Sequence, residues 1–289
     1  MKVLVTGGSG KAGSYVVREL AAAGHDVVNI DRARPAEPLP ASFIRCSLTD
    51  MGEVYDCFAQ VRPEAVCHVA ANPSPSGNPR HEIFANNVLS TYHVMQAAGD
   101  SGTVTRLAYA SSEMATGWLT TPDLPSRFPI AEADRVDTPN AYALSKYLGE
   151  VIADAMILRY PQMAVVSLRI NNVIPSDRYQ MLADRRASYP QGGSANFWSY
   201  IDARDVATAF RAAIEGNTTG HEVFHIAAAD TCLDVPISQA MTDRYGEEAA
   251  AKLPENHPPF ATVIDCSRIE QRLGWKAQHS WRDPDNKLD

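Results

Sequence analysis

KVLVTGGSGKAG, residues 2–13, carries the strongest structural signal in the sequence. Its first five residues form a short apolar run that predicts a β-strand, and the glycines that follow predict a tight loop. Apolar residues then recur on one side of a predicted helix over residues 14–23. This order is typical of a dinucleotide-binding site, because the N–H groups of the loop and the helix N-terminus attract a pyrophosphate.

The composition restricts the classes of protein to which the chain can belong. With 289 residues, 45% of them hydrophobic, it is one large domain or one domain with a small lobe. A net charge of −8 argues against a nucleic-acid surface, and no apolar run is long enough to cross a membrane. The five cysteines show no zinc spacing, so we expect no metal site. The odd cysteine count and a first strand beginning at residue 2 lead us to expect reduced thiols, no signal peptide and a cytoplasmic location.

Predicted strands and helices alternate along most of the chain. Strands are expected at residues 2–6, 27–30, 43–46, 65–70, 105–110, 164–170 and 222–227, and helices at 14–23, 51–61, 84–99, 141–160 and 202–213. This alternation predicts an α/β fold, a Rossmann-type doubly wound parallel sheet with a small C-terminal substrate-binding lobe. We assign 1–170 to the NAD-binding core and 171–289 mainly to the lobe, with about 197–227 returning to complete the core.

Asp31 is the expected partner of the adenine ribose. It ends the second predicted strand, about 20 residues beyond the glycine loop, where a carboxylate accepts both ribose hydroxyls of NAD and repels the 2′-phosphate of NADP. Arg32 and Arg34 are close enough in sequence to hold that phosphate instead. We predict NAD, with NADP as the alternative. The purely structural alternative is that Asp31 only begins the proline-rich loop that follows.

Tyr142 and Lys146 lie four residues apart, so a helix places both side chains on one face. A free tyrosine has a pKa near 10, and a nearby ammonium together with an oxidised nicotinamide lowers it. Tyr142 would then take a hydroxyl proton while hydride leaves the same carbon, with Ser112 bonding the same oxygen. Without the glycine loop, this spacing is usually that of an ordinary surface pair.

Motifs spread over nearly the whole chain resemble those of the extended short-chain dehydrogenase/reductase family, the NAD-dependent sugar epimerases, dehydratases and dehydrogenases. The matching segments are residues 6–13, His68-Val69-Ala70-Ala71, Asn87-Val88, Ser111-Ser112-Glu113, Tyr142 to Lys146, residues 169–173, Tyr200-Ile201-Asp202, Asp205-Val206-Ala207 and Leu273-Gly274-Trp275.

The resemblance implies a catalytic triad of Ser112, Tyr142 and Lys146, with Lys146 also on the nicotinamide ribose. The expected cofactor site comprises Gly7, Gly10, Lys11, Ala12, Gly13, Asp31, Arg32, Ser47, Leu48, Ala70, Ala71, Asn87, Ala110, Tyr142, Lys146 and Ile170. The expected substrate site comprises Ser74, Ser111, Ser112, Glu113, Asn171 and Arg178.

Two positions depart from the family pattern. Ser47 stands where an aspartate usually meets the adenine amine, which implies a weaker hydrogen bond. Glu113 stands where a small or polar residue is common, so it either binds sugar hydroxyls or is a solvated carboxylate at a loop start. His68 is expected to be a buried structural histidine bonded to backbone rather than a metal ligand or a proton carrier.

We expect an oxidoreductase that passes hydride from a sugar or sugar-acid hydroxyl to the nicotinamide, with Tyr142 as base. The alternative is a nucleotide-sugar epimerase or dehydratase with tightly bound NAD; a non-catalytic dinucleotide sensor is disfavoured by the intact triad. The interval 171–199 is short for a nucleotide-sugar enzyme, which favours a free aldose or uronic acid. Arg178, Arg185 or Arg186 would pair with a sugar carboxylate, or they are solvated. The resemblance implies a homodimer that pairs through the helices over 84–99 and 141–160, and both helices carry more apolar residues than one buried face needs.

Overall fold

The computed structural model describes residues 1–72, 78–119, 124–134, 138 and 140–283. Seven parallel strands form one sheet in the order β3-β2-β1-β4-β5-β6-β9, and β7 pairs with β8 in a separate ribbon. The strands are β1 (Lys2–Thr6), β2 (Asp26–Asp31), β3 (Ser42–Arg45), β4 (Ala65–His68), β5 (Arg106–Ser112), β6 (Ala164–Ile170), β7 (Val173–Ile174), β8 (Ile201–Asp202) and β9 (Gly220–Ile226).

The helices connect these strands, and several begin at a side chain that caps the first turn. Asp50 accepts the N–H of Glu53 at 3.1 Å, and Asn140 accepts the N–H of Ala143 at 2.8 Å. The helices are α1 (Lys11–Ala22), α2 (Met51–Val61), α3 (Arg80–Asp100), α4 (Ala141–Arg159), α5 (Gln180–Ala187), α6 (Ala203–Glu215), α7 (Ile237–Tyr245), α8 (Glu247–Ala250) and α9 (Ser267–Leu273).

Helices cover both faces of the sheet. One face packs against α1 and α6, where Leu20 and Phe210 are fully buried. The other face packs against α2, α3 and α4, with Phe58, Met95 and Met156 in its core. A parallel sheet buried on both sides explains why its central strands read as continuous apolar runs. The predicted doubly wound Rossmann-type fold is therefore confirmed.

A third apolar cluster lies outside the sheet and forms the core of the small lobe. Trp198, Tyr200 and Met241 are buried in it, together with Phe128 from the irregular segment before α4. Between Tyr200 and Met241 the chain returns to the sheet, where α6 packs on one face and β9 pairs with β6. The division at residue 170 stays a prediction. Of the segment expected to return to the core, about 197–227, residues 203–226 lie on the sheet, whereas Trp198 and Tyr200 lie in the lobe core.

Where the sequence and the structure differ, the differences are at element ends and in the lobe. The helix expected from residue 84 begins at Arg80, and the strand expected to reach residue 70 ends at His68. The interval 171–199, for which no strand or helix was predicted, contains β7, α5 and two 3-10 turns. In the described residues, no helix is both long and apolar enough to span a bilayer, and the five cysteines are unpaired.

Candidate active site

The carboxyl ends of the central strands open into a cavity of about 600 Å³. The glycine loop forms one wall and needs its glycines, because a Cβ on Gly7 would lie 2.6 Å from the Cα of Ala70. A Cβ on Gly13 would lie 2.1 Å from the carbonyl oxygen of Gly7. The loop therefore packs tightly between β1 and α1 and presents backbone to the cavity, an arrangement that fits a pyrophosphate.

Asp31 lines this cavity at the end of β2, as predicted from its position. Its carboxylate accepts the N–H of Ser9 at 3.1 Å, which fixes it beside the glycine loop. Arg32 also lines the cavity, whereas Arg34 lies over the ring of Phe43, 5.0 Å from its centroid. Of the two arginines considered for a 2′-phosphate, only Arg32 is placed at the cavity.

Ser47 and Leu48 line the cavity next to Asp31, together with Cys46 and Thr49. The hydroxyl of Ser47 lies 3.1 Å from that of Thr49, and its N–H donates to the carboxylate of Glu53 at 2.7 Å. These polar groups lie on the far side of the glycine loop from Tyr142, where an adenine fits. Cys46 and Thr49 were not singled out from the sequence, although their adjacency to Ser47 is a usable signal.

Asn87 lies behind the cavity rather than on its wall. It is buried, its carbonyl oxygen accepts the N–H of Asn72 at 2.8 Å, and its amide donates to Ser145 at 3.1 Å. Asn87 therefore fixes the chain after β4 to α4, and Asn72 and Asn86 take its expected place on the wall. The prediction of a direct cofactor contact is not supported by this position.

Ser112, Tyr142 and Lys146 meet at the inner end of the cavity, as the spacing predicted. Lys146 donates to the carbonyl oxygen of Ala110 at 2.7 Å, and its Nζ lies 5.8 Å from the centre of the Tyr142 ring. Burial raises the pKa of Tyr142 to about 12, although a hydrogen bond from Ser112 lowers it. Burial also lowers the pKa of Lys146 to about 7. The lowered tyrosine pKa expected from the ammonium is thus not produced by these side chains, because desolvation outweighs the hydrogen bond with Ser112.

Ser111 lines the cavity, but its hydroxyl is directed to a buried ion pair. It donates to Glu150 at 2.6 Å, and Arg169 holds both oxygens of the same carboxylate at 3.0 and 2.9 Å. This bidentate pair ties α4 to β6. Ser111 therefore supports the site, and because its proton is donated to Glu150, its hydroxyl is left to accept a hydrogen bond from the substrate.

Glu113 is buried, 7% exposed, and so is not the solvated carboxylate considered as an alternative. Burial raises its pKa to about 8. Its Oε1 lies 3.5 Å from the amide nitrogen of Asn196, which also donates to Asn171 at 3.3 Å. Glu113 and Asn171 both line the cavity, where their prediction placed them.

The predicted arginines lie elsewhere. Arg178 is exposed and is not among the residues of the cavity wall. Arg185 donates to Asn196 at 2.6 Å and to the carbonyl of Ser199, and Arg186 stacks on Trp281 at 4.0 Å. These contacts hold the lobe together, and none of the three arginines predicted to pair with a sugar carboxylate is among the described residues of the wall. Ser74 lies outside the described residues.

His68 is buried and bridges two threonines, not backbone groups as expected. Its ring nitrogens lie 2.7 Å from the Thr6 hydroxyl and 3.1 Å from that of Thr91. Burial lowers the pKa of His68 to about 3, so the ring is neutral. No cluster of metal-ligating side chains occurs in the ranges that the structure describes.

Several wall residues were missed by the sequence analysis. Besides Cys46, Thr49, Asn72 and Asn86 they are Val69, Ser90, Met114, Asn172 and Val173. Most follow a predicted strand directly, and the rule that parallel sheets bind ligands at strand carboxyl ends points to them. Lys11, expected at the cofactor, lies on the wall and donates to the carbonyl of Val173 at 2.6 Å, which joins the glycine loop to the segment after β6.

Comparison with known proteins gives consistent matches along the chain. The UDP-glucose 4-epimerase of Lactobacillus helveticus is 25% identical over 317 aligned residues, covering 96% of this chain and 93% of that protein. The UDP-glucose 4-epimerase of Corynebacterium glutamicum is 26% identical, covering 97% and 92%.

Solved structures share the fold. The Bifidobacterium longum UDP-glucose 4-epimerase, in complex with NAD+ and UDP, has a TM-score of 0.74 at 20% identity and covers 98% of this chain and 95% of its own. The Bordetella bronchiseptica enzyme WbmG, in complex with NAD, has a TM-score of 0.70 at 25% identity, covering 98% and 91%. The model of the "NAD dependent epimerase/dehydratase family" matches residues 3–227. The resemblance and the NAD dependence inferred from the sequence agree with this match, and the chain belongs to the NAD-dependent epimerase/dehydratase family.

Proposed function

We propose that the protein is an NAD-dependent epimerase that inverts a hydroxyl-bearing carbon in the sugar of a nucleotide sugar. The observation that carries this proposal is the similarity to UDP-glucose 4-epimerases over 96–97% of the chain, lobe included. It favours the alternative considered from the sequence over the main hypothesis of a net dehydrogenase. An epimerase returns the hydride that it removes, so sugar and cofactor leave the cycle with unchanged oxidation states.

Bound NAD supplies the site with a reversible hydride acceptor. Ser112 holds the reacting sugar hydroxyl, and Tyr142 removes its proton as the carbon is oxidised. Asp31 orients the adenine ribose, and the glycine loop holds the pyrophosphate. Lys146 lies on the inner side of Tyr142 and adds positive charge near the phenolate when protonated. Tyr142 then returns the proton after the oxidised sugar has rotated in the cavity and presents its opposite face.

The second candidate is net oxidation of a smaller sugar, and one observation favours it. The alignment to the Lactobacillus helveticus enzyme spans 317 positions, more than the 289 residues of this chain, so that enzyme has segments that this chain lacks. Less chain is available to enclose a nucleotide diphosphate. A free aldose would leave with its carbon oxidised and the hydride on released NADH.

Two measurements on one set of sugars separate the candidates. The protein is incubated with NAD and UDP-glucose, UDP-galactose, UDP-glucuronate or the free sugars, and both sugar products and NADH absorbance are followed. The epimerase gives the 4-epimer of a nucleotide sugar with no net NADH. Stoichiometric NADH from a free sugar, with no conversion of any nucleotide sugar, would replace the proposal with the dehydrogenase.

A further inference from the structure

The ammonium group of Lys146 is buried, and burial works against its charge. Lys146 is 3% exposed, and its Nζ donates a hydrogen bond to the carbonyl oxygen of Ala110 at 2.7 Å. Burial lowers the pKa of Lys146 to about 7, and no carboxylate of the described residues offsets that effect. The proposed function needs the charged form of Lys146 beside Tyr142. Another group is therefore required to stabilise this charge.

Two tyrosine rings flank the ammonium. Its nitrogen lies 5.8 Å from the centre of the Tyr142 ring and 5.4 Å from the centre of the Tyr109 ring. A cation within about 6 Å of an aromatic face is attracted to it, and more strongly where water is excluded. Tyr142 changes charge during the proposed reaction, whereas Tyr109 stays neutral because burial raises its pKa well above the usual range. Tyr109 therefore attracts the ammonium of Lys146 throughout the cycle.

Tyr109 is held closely between β5 and α4. Its side chain is fully buried, and its hydroxyl donates to the backbone carbonyl oxygen of Lys146 at 3.4 Å. A Cβ on Gly149 would lie 2.2 Å from the same hydroxyl oxygen, so the helix packs directly on the phenol. The turn of α4 that carries Lys146 and the ring below it are thus fixed relative to each other.

His68 stacks on the Tyr109 ring, with the two ring centres 5.7 Å apart and an interplanar angle of 22°. Burial and the ammonium of Lys146 lower the pKa of His68 to about 3. The imidazole is therefore neutral at the pH at which Lys146 titrates. It supports the Tyr109 ring without adding a charge that would repel the ammonium.

Two carboxyl groups face the tyrosines of this cluster, and neither offers a free negative charge to Lys146. Glu150 faces Tyr109, but its carboxylate is paired with Arg169 at 2.9 Å. Glu113 faces Tyr142, and burial raises its pKa to about 8, so it is largely protonated at neutral pH. The aromatic face is thus the attraction that remains for the buried ammonium.

We propose that Tyr109 is a positioning residue whose ring face keeps the ammonium of Lys146 charged and directed beside Tyr142. The inference rests on the proposed function, because it concerns the charge that favours the Tyr142 phenolate. Tyr109 is not among the described residues of the cavity wall, so it acts through Lys146 and not on the sugar. The carbonyl oxygen of Ala110 and the ring together fix where the ammonium lies.

Fluorination of the ring at position 109 tests this role, because fluorine withdraws negative charge from the ring face and changes the shape of the ring little. Tyr109→Phe is the reference, and phenylalanines with two or five ring fluorines replace it. Trace acetic anhydride acetylates only the neutral amine, so mass spectrometry of Lys146 acetylation against pH, before NAD is added, gives a titration midpoint. Five fluorines should lower this midpoint by about one pH unit or more, and two fluorines by less.

The matched control places pentafluorophenylalanine at Phe58, a buried ring in the core of the same sheet face, and should leave the midpoint unchanged. NAD binding, followed by fluorescence, checks that each protein is folded. With the best nucleotide sugar, the high-pH limb of the kcat profile should move to lower pH by as much as the midpoint.

Epimerisation with a midpoint that fluorination at position 109 does not move would overturn the role of Tyr109 and leave the proposed function in place. An equal shift in the Phe58 control, or a kcat limb that stays while the midpoint moves, would overturn it as well. A shifted midpoint in a protein that forms no epimer would support the attraction between ring and ammonium and overturn the proposed function.

Discussion

Tyr142 is the proposed proton carrier, and its surroundings only partly favour that role. Its pKa is raised to about 12 by burial, so the phenol is protonated and a ready donor before a positive nicotinamide lies beside it. The buried phenol beside Ser112 can donate its proton, and it can act as a base once the positive charge of the nicotinamide lowers its pKa. The sequence predicted its identity and partners, but not this pKa, because burial at one side chain depends on the whole cavity.

Tyr142→Phe should lower kcat about 10²- to 10⁴-fold, since general acid-base catalysis contributes that much. The change removes only the hydroxyl, so NAD affinity and thermal stability should remain close to those of the wild type. Turnover of the best sugar and NAD titration by fluorescence measure the two quantities. A variant with nearly normal kcat would exclude Tyr142 as the proton carrier.

Asp31→Ala should weaken NAD binding about 10- to 100-fold and leave NADP binding much less affected, because the proposed role of the carboxylate is to bond the ribose hydroxyls and repel a 2′-phosphate. Titration calorimetry with both cofactors measures this. Arg34→Ala is the matched control, since Arg34 stacks on Phe43 and is not on the wall. Strong wild-type preference for NADP would assign the pocket to Arg32 instead.

Glu113 links the cavity to the pH dependence of stability. Its folded pKa of about 8 lies above that of an exposed glutamate, near 4.3. Between these values the folded state holds a proton that the unfolded state has lost, so the free energy of unfolding falls as pH rises. Relative to Glu113→Gln, the wild type should lose roughly 2 to 4 kcal/mol between pH 5 and pH 8. If denaturant titrations showed the same change in the free energy of unfolding between pH 5 and pH 8 for both proteins, the raised pKa would be contradicted.

The glycine loop has room for an added Cβ at Gly10 but not at Gly13. A Cβ on Gly13 would lie 2.1 Å from the oxygen of Gly7, whereas a Cβ on Gly10 would lie 3.2 Å from it. Gly13→Ala should therefore destabilise the protein by about 2 kcal/mol or more. Gly10→Ala should cost under about 1 kcal/mol and mainly lower NAD affinity, since it lies at the cavity. Equal losses of stability would argue against the tight turn.

Elements of the sheet were predictable and those of the lobe were not. The strand predicted over residues 164–170 and the helix predicted over 141–160 were found almost unchanged, and Asn140 caps that helix in the structure. The lobe core contains Phe128, Trp198 and Met241, which come from distant segments of the chain. No local periodicity in the sequence therefore predicts this core. The site was predicted where residues follow strand ends. It was missed where partners such as Asn196 come from the lobe.

Assembly of the molecule stays a prediction, and the outer faces of α3 and α4 give it a basis. Leu89 and Val151 are 45% and 42% exposed on these neighbouring helices. Such side chains suit a four-helix bundle between two copies. Leu89→Glu with Val151→Glu should convert a dimer to a monomer in sedimentation analysis. Met181→Glu, on α5 and equally exposed, should not change the mass. A monomeric wild type at micromolar concentration would exclude the dimer.

The repeated passage of the chain between the sheet and the lobe restricts how this protein can be recombined. Residues 128–130 enter the lobe core before β6, and 203–226 leave it again for the sheet. A chimaera with a single junction at residue 170 would therefore join β9 from one parent to β6 from another. Transplanting a foreign specificity requires at least three grafts, with junctions inside exposed turns. The sheet and the lobe are therefore not two units that can be exchanged independently of each other.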